Sequence, residues 1–241
     1  MLLKNISRNS VITLTLLFLV FLFGLSGIYH LSTIFFRGDF RSLLGVALVN
    51  LLLGLLFLFL KRKKILDIQP ALGTKAMGIK NKLSFIYKSP YLIGLLYALF
   101  IFVLATISSF FGDKPIEKAA FDPIFFILTV FFIPIVEEFA FRGFLTSLFF
   151  KVSNSNWAPY FSVILFSALH TVNSPYDVLT LNVGFAFGPL LLGVFCEMMM
   201  AVGLGLSACV AFHIAANATL FIFRFVDPRW LDWLSVFYLG V

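Results

Sequence analysis

An all-α, polytopic transmembrane helix bundle of about seven or eight helices is the fold class that this sequence predicts, and three observations predict it. Of 241 residues, 61% are hydrophobic and only 12% charged, against roughly half and a quarter in soluble domains. Apolar runs recur along nearly the whole chain, at lengths approaching the ~20 residues that a helix needs to cross a bilayer. The charge is also patterned: eight of the 18 Lys and Arg residues fall between two apolar runs, in "KRKKILDIQPALGTKAMGIKNKLSFIYKSP" (61–90), against a single acid, Asp67.

The spans follow in order at 11–29, 43–60, 91–111, 123–150, 159–172, 184–203 and 206–224, with a weaker apolar tail at 230–241. The opening "MLLKNISRNSVITLTLLFLVFLFGLSGIY" has the basic start and apolar core of a signal peptide. It lacks a small-x-small cleavage site, so it is expected to stay as the first helix. Lys4, Arg8 and the 61–90 loop set the topology and face the cytoplasm, while "GDKPIEKAAFD" (112–122) is slightly acidic and falls outside. The 123–150 helix then runs inward, with Lys151 back in the cytoplasm. The net charge of +7 is thus a matter of topology and lipid contact, and no nucleic-acid partner is expected. Cys196 and Cys209 lie in apolar runs without a CxxC spacing and are expected to serve helix packing. Three regions result: N-terminal membrane helices with their basic loop (1–122), a membrane core (123–224) and the C-terminal apolar tail (225–241).

The core carries ionisable residues, which are costly in hydrocarbon at about 2.5 to 3.5 kcal/mol each on insertion scales. They are Glu137, Glu138 and Arg142 in "VEEFAFRGFL", His170 in "FSVILFSALH", Glu197 in "GVFCEMMM", and His213 with Asn217 in "VAFHIAANATLF". Glu138 and Arg142 are four apart and share a helix face, so they pair. Glu137 projects roughly 100° away around the helix, lacks that partner and is available as a proton acceptor. Pro134 disturbs the helix just upstream and frees backbone groups. His213 and Asn217 present an imidazole and an amide on one face, suited to orienting water or holding an oxyanion. His170 ends its helix one turn after Phe166, while His30 abuts the first span and is interfacial. Glu197 is expected to be a structural partner of Arg224 or Arg142.

Two chemistries are open. His170, His213 and Glu137 form a three-ligand zinc set with a fourth position for water. Without metal or other cofactor, Glu137 and His170 jointly activate water while His213 and Asn217 stabilise the oxyanion. Both end in hydrolysis of a carbonyl compound.

The motifs EExxxR (Glu137, Glu138, Arg142), FxxxH (Phe166, His170) and HxxxN (His213, Asn217) occur in that order. In this the chain resembles the CPBP (CAAX protease and bacteriocin-processing, Abi) intramembrane endopeptidases, relatives of the type II CAAX prenyl endopeptidases. The resemblance spans roughly 123–224. It implies a catalytic core in which Glu137 is the general base, His170, His213 and Asn217 complete the site, and Glu138 and Arg142 order it. It also implies a membrane-associated peptide or protein substrate, with the lipid bilayer as the other partner, and a bacterial cell membrane as the location. The alternatives are a non-catalytic membrane interaction or regulatory protein on the same fold, and a transporter. A transporter would show an inverted repeat, whereas the polar residues here crowd into the second half.

Overall fold

The computed structural model describes residues 8–35, 39–66, 123–172, 174–201 and 203–226. Among these residues every regular element is a helix: α1 (Arg8–Phe35), α2 (Asp39–Arg62), α3 (Pro123–Ser153), α4 (Ala158–Leu169), α5 (Pro175–Leu179), α6 (Phe187–Ala201) and α7 (Leu206–Val226). The expected span at 91–111, the basic loop beyond Leu66, the 112–122 loop and the apolar tail lie outside the described residues. Asn9–Leu31, Leu44–Arg62 and Pro123–Ser153 are long and apolar enough to cross a membrane. The packing is inverted relative to a soluble protein. Leu52 is 67% and Val20 65% exposed, whereas Glu138, Arg142 and Asn50 are fully buried. Apolar side chains on the perimeter suit lipid, and polar groups then need partners inside the bundle. The chain is a helical membrane bundle.

α3 is the central element. α2 runs parallel to it: Ala47 clusters with Ile133 and Val136, Gly54 abuts Phe139, and Gly143 admits the Phe57 ring. At the far end the Lys151 ammonium donates to the Ile65 carbonyl. Small residues let these two helices approach closely, as is usual where lipid rather than water surrounds the pair. α1 and α7 run antiparallel to α3. Ser10 donates to the Ser153 carbonyl at 3.1 Å and Phe21 packs on Phe144. On the other side Phe221 of α7 packs on Phe126. The start of α1, the Lys61–Lys64 end of α2 and Lys151 therefore share one end of the bundle, in keeping with the charge pattern.

α3 remains helical through Pro134, and the expected disturbance takes the form of wide π turns at Leu128–Phe132 and Phe139–Leu145, flanking Ile133–Glu138. The Ile133 N–H bonds to the Leu128 carbonyl, five residues back. In that register the next acceptor, the Thr129 carbonyl, would take the N–H of residue 134, and proline has none. Such π segments accompany functional sites in many helices. Asn154 closes α3 in the left-handed conformation (φ 48°), one of the few side chains that tolerates it. α4 then returns antiparallel, with Ser162 donating to the Phe141 carbonyl. The expected 159–172 span ends earlier, at Leu169, and the unexpected α5 follows, started by a Ser174–Asp177 capping box.

Candidate active site

Arg142 lies at the centre of the polar cluster. Its Nε is 3.3 Å from Glu138 Oε2, the expected pair of one helix face. Its guanidinium stands over the Phe166 ring, 4.4 Å from the centroid, a favourable cation–π placement away from water. Gly193 of α6 makes the remaining room: a Cβ there would lie 2.9 Å from Arg142 Nη2.

Glu138 turns its other oxygen to α7, where Oε1 is 2.8 Å from His213 Nδ1. A carboxylate paired with a guanidinium only accepts, so Nδ1 donates and the imidazole is held by its inner nitrogen. His213 Nε2 then faces Glu137 Oε2 at 3.7 Å. Glu137 is thus apart from Arg142, as its helical angle requires, yet it faces His213 instead of standing alone. The adjacent glutamates flank one imidazole.

Asn217, one turn further along α7, donates from Nδ2 to the Thr129 carbonyl at 2.8 Å. This is the carbonyl that Pro134 leaves without its helical donor. The proline and the π turn thereby create the acceptor that orients the asparagine amide, which keeps a second N–H.

His170 caps α4. Its Nδ1 is 2.8 Å from the Phe166 carbonyl, which only accepts, so Nδ1 carries the proton and Nε2 the lone pair. Its ring stacks edge-on against Phe166 at 4.6 Å, and the same phenyl lies 6.1 Å from the His213 ring. Phe166 thus stands between the two imidazoles. No hydrogen bond or ion pair joins His170 to Glu137, although the antiparallel course of α4 carries its end toward the Glu137 turn.

Tested as a zinc site, the expected donors gather only in part: His213 Nε2 and Glu137 Oε2 are 3.7 Å apart, but the three with His170 do not all lie within 4.8 Å of one another. The ligand atoms that do lie within 4.8 Å of one another belong to Glu138, Cys196 and Cys209. That set adjoins the Arg142 guanidinium, whose charge already answers Glu138 and opposes a second cation. Cys209 Sγ is turned to the Cys196 carbonyl at 3.2 Å and Cys196 Sγ to the Cys209 carbonyl at 3.9 Å, which joins α6 to α7. Neither set fits a divalent cation as it stands. The cysteines pack helices, as expected, and they do so against the site.

Glu197 accepts from Thr146 Oγ1 at 2.9 Å and lies near the Arg142 guanidinium without an ion pair to it within 4 Å; the Arg224 side chain, its other expected partner, lies outside the described residues. The Arg142 tip, over Phe166 and against Gly193, and the Thr146 hydroxyl one turn later both reach α6. Thr129, Thr146 and Gly193 escaped the sequence reading, because nothing in their local pattern separates them from ordinary helix residues.

Residues 119–219 match the family model described as Type II CAAX prenyl endopeptidase Rce1-like. No curated protein and no solved structure matches the chain. The matched stretch contains Glu137, Glu138, Arg142, Phe166, His170, His213 and Asn217 and leaves out α1 and α2. Over that stretch, less than half of the chain, the protein is thus similar to the type II CAAX prenyl endopeptidases.

Proposed function

We propose that the chain is an intramembrane endopeptidase that hydrolyses a peptide bond of a membrane-associated peptide or protein, with Glu137 as general base on the attacking water. The observation that carries this reading is the orientation of His213: Glu138 and Arg142 hold its Nδ1, and its Nε2 faces Glu137 at 3.7 Å. Fixing one nitrogen so that the other is presented to the reaction is a recurrent use of a carboxylate–histidine pair.

In this mechanism water gives a proton to Glu137 as its oxygen attacks the peptide carbonyl, with His170 Nε2 as a further hydrogen-bond acceptor in the site. The second N–H of Asn217 and a protonated His213 Nε2 donate to the oxyanion, the charge that such donors stabilise most. Collapse of the tetrahedral intermediate breaks the C–N bond, and the leaving amine takes the proton held by Glu137. The same reading puts the Lys61–Lys64 and Lys151 end of the bundle on the cytoplasmic side of a bacterial membrane.

The test compares membrane proteomes of cells carrying the wild-type chain and Glu137→Gln, with purified full chain in liposomes cleaving a fluorogenic prenylated CAAX-type peptide as the second arm. One mature terminus should vanish in the variant, and peptide cleavage should stop. Identical proteomes together with no peptide cleavage by folded wild-type chain would point to the non-catalytic membrane protein instead.

A further inference from the structure

α1 and α2 lie outside the family match, yet they bring two polar side chains to the level of Glu137. Asn50 is the one polar residue in the run 43–60, and it is wholly buried. It sits on α2 between Ala47, which packs with Ile133 and Val136, and Gly54, where a Cβ would lie 3.0 Å from Phe139 Cβ. Asn50 therefore faces the turn that carries Glu137. The register of α1, set by Ser10 on Ser153 and Phe21 on Phe144, brings Tyr29 to the same level. There the Tyr29 hydroxyl donates to Asn50 Oδ1 at 2.8 Å. Tyr29 also lies within the field of the Glu137 carboxylate. One residue pair earlier, Gly27 abuts Pro175 at the start of α5, so this part of α1 adjoins the segment that follows His170.

Asn50 is a poor device for stability. Its Nδ2 is buried without a hydrogen-bond partner, which is unfavourable, whereas apolar groups of the same shape in place of both partners are close to neutral. What the amide does accomplish is to fix the phenol. With its proton given to Asn50, the Tyr29 oxygen acts toward any further partner as an acceptor.

We propose that Tyr29, held by Asn50, orients the attacking water beside Glu137, so that α1 and α2 complete an active site whose family motifs all lie on α3, α4 and α7. The inference rests on the protease reading above. The water directs one hydrogen to the Tyr29 oxygen and surrenders the other to Glu137 as it attacks; no bond to Tyr29 is made or broken. Asn50 is a positioning residue, acting through Tyr29.

The test uses the full chain in liposomes with the fluorogenic prenylated CAAX-type peptide. Tyr29→Phe should lower kcat about tenfold or more at unchanged KM, since a correctly placed water contributes through geometry. Asn50→Leu should lower kcat in the same way, and the double variant should be no worse than Tyr29→Phe alone while melting at or above the wild type. A raised KM at constant kcat would mean that the phenol meets substrate N–H groups, and would overturn the water role. A double variant that melts well below wild type, with activity lost only in proportion to folded protein, would make the pair helix glue and would also overturn it. An experimental map of the full chain supplies a readout independent of turnover. A water bonded to both Tyr29 Oη and the Glu137 carboxylate supports the proposal, and its absence from a map that resolves ordered water elsewhere in the site overturns it. If that water is present and the wild-type chain cleaves nothing, the protease reading alone fails.

Discussion

Gly193→Ala is the sharpest probe of how the cluster is held, because it adds one methyl group from a helix that carries none of the family motifs. The new Cβ would stand 2.9 Å from Arg142 Nη2, 2.9 Å from Val163 Cγ1 and 3.3 Å from Val163 Cγ2. Ordinary contact needs roughly 3.4 to 4 Å, so at least one neighbour must retreat by about half an ångström or more. Val163 is β-branched, stiff and buried. Arg142 is the softer side, but its tip is held over Phe166 and beside Glu138. Overpacking of this kind costs about 1 to 3 kcal/mol, short of the 3 to 5 kcal/mol expected if the buried pair broke outright. At roughly 2 to 4 °C per kcal/mol for a chain of this size, melting in detergent should fall by several degrees. Because Arg142 holds Glu138 and Glu138 holds His213, cleavage per folded molecule should fall as well. Gly24→Ala is the control, since nothing lies within 4 Å of its added Cβ; it should be neutral or gain up to about 1 kcal/mol from helix propensity. If Gly193→Ala melts and cleaves like Gly24→Ala, the placement of Arg142 against α6 is wrong.

Glu137→Gln should abolish cleavage and leave melting nearly unchanged, whereas Arg142→Ala should cost about 3 to 5 kcal/mol by stranding Glu138; equal melting losses in detergent would contradict this division of labour. Pro134→Ala should stabilise α3 yet slow cleavage several-fold, because a restored N–H competes with Asn217 for the Thr129 carbonyl, a bond of about 0.5 to 1.5 kcal/mol; an unchanged kcat would sink the link between the proline and Asn217. Thr146→Val should cost about 1 to 3 kcal/mol by leaving Glu197 without its donor, read by thermal unfolding. Exhaustive chelation should leave cleavage intact in protein verified as metal-free by elemental analysis, and activity lost and then restored by one zinc per chain would refute the metal-free mechanism.

The sequence by itself determined the solvent of this protein and the identity of its polar core. Hydrocarbon penalises ionisable groups so heavily that Glu137, Glu138, Arg142, His170 and His213 stand out from their apolar runs without any coordinates. Helical spacing was enough to pair Glu138 with Arg142, because that contact lies within one turn of one helix. It was not enough to foresee that His213 lies between both glutamates, since that depends on the rotation and depth of α7 against α3. The direction of the Arg142 guanidinium was likewise hidden, because a side chain with several rotatable bonds leaves that to its neighbours: Phe166 on α4 and the gap at Gly193 on α6. Pro134 was legible as a disturbance, but the π register that turns it into an acceptor for Asn217 is a property of the packed helix. Asn50 was visible as a lone amide in an apolar run, and only the parallel alignment of α2 with α3 gave it a place beside Glu137. Contacts between helices depend on register and approach, which local pattern does not encode, and the site is built almost entirely from such contacts.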